Sequence, residues 1–168
     1  MKKFELTTEF ITNAFGKKIF RIKALIEFGN VKAGELGGFV EKEENLSHDG
    51  NAWVRENAVV CENAVVRGNA EVRGNAEVCE NAVVRGNAVV RGNADYACIK
   101  GFGTEFRHTT FYKTKEDGIG VKCGCFNGSL EQFREQVKET RNGKIAKEYL
   151  MIADLMEYHF ASEGSDDE

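Results

Sequence analysis

Arg107, His108, Thr109 and Thr110 stand in one unbroken run, with Lys113 just after it and Lys100 shortly before. Hydroxyls, a guanidinium and neighbouring glycine-rich backbone are what a phosphate or nucleotide site requires. Phe111, with Phe106, Tyr112 and Phe126, supplies aromatic faces on which a base could stack. The competing reading is a strand that turns polar residues to water. No paired carboxylates, no P-loop and no nucleophile with an evident base accompany the run. Binding without turnover, and without a cofactor, is therefore the expected chemistry.

A second candidate is a metal site. Cys123 and Cys125 flank Gly124, and Cys98 or His108 could join them as zinc ligands. The C-x-C spacing is a weaker signal than paired C-x-x-C knuckles, and on a strand the two thiols share a face as packing residues. The chain has five cysteines, an odd number. Its start, MKKFELTTEF, lacks an apolar stretch long enough for secretion, so reduced thiols and a cytoplasmic setting are expected.

The element that must carry these residues is a strand pair. Thr104 to Thr114 alternates as a strand, Lys115 to Gly118 turns, and Ile119 to Cys125 returns, giving a β-hairpin module over 99–128. Ser129 then opens a helix, because a serine N-cap with Gln132 three residues on forms a capping box and Leu130, Phe133 and Val137 follow at helical spacing. A second helix over Ile145 to Phe160 presents Tyr149, Ile152, Ala153 and Met156. Residues 129–161 thus hold two helices, and the acidic tail 162–168 is expected to be disordered.

Upstream lies the most regular part of the chain. From Asn51 to Cys98 eight six-residue units run without a slip: NAWVRE, NAVVCE, NAVVRG, NAEVRG, NAEVCE, NAVVRG, NAVVRG and NADYAC. A fixed short period means stacked coils, each burying an apolar face against its neighbours. Three units per coil give an 18-residue turn, and the eight units make fewer than three complete coils. The fold expected is mainly β: a short left-handed, three-sided β-solenoid of hexapeptide repeats over 51–98. An N-terminal β cap and lead-in coil over 1–50 would cover its open end, with NLSHDG (Asn45 to Gly50) as a degenerate ninth unit.

Within each unit alanine and the fourth residue point inward, while the third and fifth point out. Asparagine and glycine should sit at corners that need positive φ, with asparagine bonding the next coil. The 18-residue period stacks Val54, Val72 and Val90; Val60, Val78 and Tyr96; and Val66 and Val84. Outside, Arg55, Arg73 and Arg91 form one ladder, read as a surface compensated by glutamates or as an anion stripe. Cys61 stacks on Cys79, read as small apolar filler rather than a disulfide or metal site. Trp53, Val59, Val65 and Val83 face outward, so a second subunit or the chain's own ends should cover them.

Bulk charge is uninformative. The net −4 is matched by Glu163, Asp166, Asp167 and Glu168 in the tail, leaving the rest neutral. That balance does not point to nucleic acid, and no segment has the roughly 18 consecutive apolar residues of a membrane span.

The stretch IEFGNVKAGELGGFVEKEENLSHDGNAWV, followed by the repeats, resembles the YdcK-like β-solenoid family. NADYACIKGFGTEFRHTTFYKTKEDGIGVKCGCFNGSLEQF, with its KGFG, TTF and CGCF motifs, is similar to a C-terminal module carried by phage and prophage proteins. The resemblance implies the solenoid fold and a mobile-element setting in a bacterial host cell, but no reaction. Together with the basic segment it suggests a homo-oligomeric counter-defence protein that sequesters a small anionic, nucleotide-like immune signal or blocks a host defence protein. The solenoid acyltransferases resemble the coil too, but they use a histidine base at a cleft between subunits, and here His48, His108 and His159 all fall outside the regular units. Such an enzyme, or a passive structural module, stays the alternative.

Overall fold

A computed structural model describes residues 1–161; the tail 162–168 lies outside the described residues. Among the described residues the chain is mainly β, built as several sheets with two C-terminal helices and no closed barrel. Among the described residues no helix is long and apolar enough to cross a membrane.

The repeats form seven two-residue strands: β4 (Trp53–Val54), β5 (Val59–Val60), β6 (Val65–Val66), β7 (Glu71–Val72), β8 (Glu77–Val78), β9 (Val83–Val84) and β10 (Val89–Val90). They pair in parallel at an offset of 18 residues, in three ladders: β4 with β7 and β10, β5 with β8, and β6 with β9. The second residue of each of these units, Ala52 through Ala88, and the fourth, Val54 through Val90, are at most 1% exposed. The inward pair of every unit is thus the core, as the alternation requires.

The corners follow expectation at glycine and differ at asparagine. The sixth residue of the unit takes the left-handed conformation, not the asparagine: Glu56, Glu62 and Glu80 have φ of 56°, 55° and 60°, and Gly68, Gly74 and Gly86 lie between 64° and 70°. A side chain there is disfavoured by about 1–2 kcal/mol, yet Glu56 and Glu62 each make a contact that offsets it. Glu56 Oε2 accepts from the Gly74 N–H at 2.6 Å and Glu62 Oε2 from the Glu80 N–H at 2.9 Å, so the carboxylates link successive coils. At the glycine corner Gly50 has no room for a side chain, since a Cβ would lie 2.4 Å from the Gly68 carbonyl oxygen.

The lead-in is shifted relative to the hexad alignment. β1 (Phe4–Thr12), β2 (Lys18–Ala24) and β3 (Leu36–Val40) form an antiparallel meander whose last strand pairs in parallel with β5, Phe39 opposite Val59. Leu46 bridges to Val66, twenty residues on, rather than to Ala64. The core position at this level needs a large apolar residue, and Leu46 supplies it where the hexad register would have placed His48. The upward-facing carbonyls of the first coil are taken by two buried polar side chains. Lys3 Nζ donates to Gly50 O (3.2 Å) and Ala52 O (2.9 Å), and Asn45 Nδ2 donates to Glu62 O (3.1 Å) and Ala64 O (2.9 Å).

The eighth unit leaves the stack. Gly92 is extended, Asn93–Asp95 form a 3-10 turn, and Tyr96 begins β11 (Tyr96–Phe102) instead of continuing the parallel ladder below Val78. The expected hairpin is a four-stranded antiparallel sheet: β11, β12 (Arg107–Lys113), β13 (Ile119–Cys123) and β14 (Phe126–Ser129), in that order. One face closes the lower end of the coil core through Tyr112, Tyr96 and Cys98. Its other face packs on α1 (Leu130–Thr140) and α2 (Gly143–Phe160) through Phe111 and Val121. The helices therefore cover the sheet and not the outward valines of the coil. α1 begins as expected, with Ser129 Oγ accepting from the Gln132 N–H and Gln132 Oε1 accepting from the Ser129 N–H.

Candidate functional site

Alternation along β12 separates the polar run that looked like a single site. His108, Thr110 and Tyr112 point toward the coil: Thr110 Oγ1 accepts from the Val83 N–H (3.1 Å), and His108 Nε2 lies 3.2 Å from Asn81 Nδ2. Thr109 and Phe111 point toward the helices, where Thr109 donates to Cys123 Sγ at 3.1 Å. Thr109 and Thr110 are 1% exposed and Phe111 is 0% exposed, so none of the three can touch a ligand. Lys113 pairs with Asp95 at 3.4 Å. Lys100 joins His108 in an open hollow beside Glu62 and Glu80, a largely acidic setting.

Arg107 alone of the run opens on a promising cleft. A cavity of about 100 Å³ lies between the loop 103–105, the β13–β14 turn and the facing ends of the helices. Arg107, Arg141, Tyr149, Thr104, Thr140 and Cys125 are among its lining residues, with Glu105 at the same wall. Among the described residues neither Arg107 nor Arg141 forms an ion pair.

Two glycines make the close approach possible. A Cβ at Gly124, whose φ is +57°, would lie 2.4 Å from Arg107 Nη1, and one at Gly103, φ +76°, would lie 2.4 Å from the Tyr149 hydroxyl. That hydroxyl donates to Phe102 O at 3.2 Å. Burial pushes its pKa up first and Cys123 adds to the rise, while the charges of Arg141 and Arg107 pull it back. Arg107, Arg141 and Tyr149 thus line one cavity, which carries two guanidiniums against the single carboxylate of Glu105.

The candidate zinc ligands, weaker in the sequence than a packing role, do not converge. Cys98 faces the coil, its thiol 3.6 Å from Thr110 Oγ1 and its pKa raised by burial; Cys123 faces the helices; Cys125 is exposed. Cys61 and Cys79 correct a different expectation, because they are joined as a disulfide rather than packed as filler. Coil stacking holds their Cα atoms 4.8 Å apart, within the span that a disulfide bridges.

The outward coil residues divide too. Trp53 is 1% exposed because Phe4 and Phe28 of its own chain stand edge-on to it, at 6.3 and 5.3 Å between ring centroids, so it is not available to a second subunit. Val59 is half-buried beside Ile19 and Phe39 of the N-terminal sheet. Val65 and Val83 stay half-exposed side by side. The arginine ladder is compensated where it meets the cap: Arg55 pairs with Glu35 (2.7 Å) and Glu71 (3.6 Å), and Arg73 with Glu71 (3.5 Å). His48 is structural, with Nδ1 accepting from the Lys3 N–H and Nε2 donating to Glu43, and His159 sits exposed near the end of α2.

No protein-family model matches the chain, and no curated protein matches it. The site thus rests on its own geometry. Sequence reasoning reached Arg107 but missed Arg141 and Tyr149. Arg141 caps the C-terminus of α1, and Tyr149 sat in the pattern only as an apolar helix position. The signal available was the pair of glycines, Gly103 and Gly124, each bracketing a polar loop.

Proposed function

We propose that this protein binds, without turning over, a small anionic ligand whose terminal oxyanion enters the cleft between Arg107 and Arg141. The observation that carries the reading is that Arg107 and Arg141, neither of them in an ion pair among the described residues, line one cavity of about 100 Å³ together with Tyr149. Guanidiniums bind phosphate and carboxylate through charge-assisted, often bidentate hydrogen bonds. Whole small-molecule sites run to roughly 300–1,000 Å³, so the enclosed part suits one phosphate-sized group, with the remainder of a nucleotide-like ligand lying along the open mouth. Phe111 is buried and plays no part in stacking; Phe126 lines the cavity, and Phe106 is exposed.

The wider reading joins this cleft to the sequence resemblance. The three ladders belong to a left-handed, three-sided hexapeptide solenoid; the protein acts in the bacterial cytoplasm as a phage-type counter-defence factor; and it sequesters a nucleotide-like signal as a homo-oligomer. Self-association is supported by Met151, Leu155 and Tyr158, which stand 59–83% exposed along one face of α2, and by the Val65/Val83 pair.

Calorimetry with inorganic phosphate and adenosine monophosphate tests the cleft. Each arginine contact to a phosphate is worth about 1.5–3 kcal/mol, so Arg107→Ala and Arg141→Ala should each weaken binding by about ten- to a hundredfold. Lys113→Ala, remote from the cavity, should leave it unchanged. Equal affinity in all four proteins would remove the site.

A further inference from the structure

Cys61, Cys79 and Glu77 place two sulfur atoms and a carboxylate oxygen within 4.8 Å of one another. The grouping follows from the repeat. NAVVCE and NAEVCE lie three units apart, so their fifth residues stack on the second ladder, and Glu77, two residues before Cys79, shares its outward face. Cys79 Sγ lies 3.7 Å from Glu77 Oε1. Cys61 is only 4% exposed, covered by Ile19 and Phe39 of the N-terminal sheet, whereas Cys79 is half-exposed and Glu77 reaches solvent. One side of the group is thus dry and fixed, and the other is open.

We infer that these three side chains form a redox-gated site for one thiophilic divalent cation, with zinc the best fit. As the disulfide the sulfurs carry no thiolate and the site is shut. A small dithiol reductant supplies two electrons and two protons, breaks the S–S bond to give two thiols and is itself oxidised to a disulfide. Metal binding then displaces the two thiol protons. Zinc takes thiolate at about 2.3 Å and carboxylate oxygen at about 2.0–2.2 Å in tetrahedral array. Two sulfurs on stacked coils whose Cα atoms are 4.8 Å apart reach that geometry by separating to about 4 Å, which a change of side-chain rotamer supplies. Water completes the fourth position on the side where Glu77 is open. The set offers two soft ligands and one hard one, which favours zinc over calcium or magnesium.

The experiment is zinc loading of the full chain, read by metal analysis after gel filtration, in oxidised and dithiol-reduced protein. The reduced wild type should retain one zinc per chain and the oxidised form none. Cys123→Ser/Cys125→Ser should keep that stoichiometry, and Cys61→Ser/Cys79→Ser should lose it. Since the latter changes a packed position, Glu77→Gln provides the check on an exposed residue. It should weaken zinc by about tenfold or more, because even the outer partners of metal ligands are worth 10–100-fold. Zinc retained equally by the oxidised chain or by the Cys61/Cys79 variant, or no zinc in the reduced wild type, overturns the assignment.

Discussion

Lys3 shows how one side chain can set the terms for an open coil end. Its ammonium is buried, bonded to two carbonyls of the first coil and 4.6 Å from the centroid of the Phe28 ring. Burial pulls its pKa down from 10.5 to about 8, with Asp49 opposing. Between those two values the unfolded chain holds more protons than the folded one, so this residue's contribution to stability rises with pH across that window and is flat below it. The gain across the window is about 3 kcal/mol. Denaturant unfolding of wild type and Lys3→Met at pH 7.5 and pH 10 should therefore show the difference between them moving toward the wild type as pH rises. A difference that stays constant would mean that Lys3 keeps its ordinary pKa in the folded protein.

At the scale of the element, the corner residue decides how coils are joined. Glu62 occupies a left-handed position that glycine fills without penalty elsewhere in the stack, and its carboxylate accepts the Glu80 N–H. Glu62→Ala loses that bond and keeps the backbone penalty, whereas Glu62→Gly loses the bond but relieves the penalty. The alanine variant should be the less stable of the two by about 1 kcal/mol, measured as the shift in denaturation midpoint; equal stabilities would show that the corner is unstrained. The mixture of glutamate and glycine at the sixth position was visible in the sequence. Its meaning was not, because the hydrogen bond runs between residues 18 apart and exists only once the coils are stacked.

At the scale of the whole molecule, the four-stranded sheet is the joint between coil and helices. Tyr112 passes over Gly120, where a Cβ would stand 2.1 Å from the ring, and completes the coil core at 4% exposure. Removing it opens the lower end of the stack as well as one face of the sheet. Tyr112→Ala should cost about 3–5 kcal/mol, the range for large buried aromatics, and hydrogen exchange should speed up first in β10 and β12, with the N-terminal sheet still protected. Uniform acceleration across the chain would instead show that coil, sheet and helices unfold as one unit.

The sequence by itself determined what repeats locally: the inward alanines and valines, the 18-residue offset of the ladders and the capped start of α1, since each depends on neighbours at fixed spacing. It also brought Cys61 over Cys79, though not the bond between them. Only the tertiary structure decided which face each β12 residue shows, because a single strand has two faces and the partners differ: the coil takes His108, Thr110 and Tyr112, and the helices take Thr109 and Phe111. Arg107 keeps its place as the candidate ligand residue because it lies at the end of β12, an interior strand of the sheet, where Arg141 and Tyr149 from the helical segment line the same cavity. A cavity shared by residues 34 and 42 positions apart leaves no periodic trace in a sequence, and folding alone assembles it.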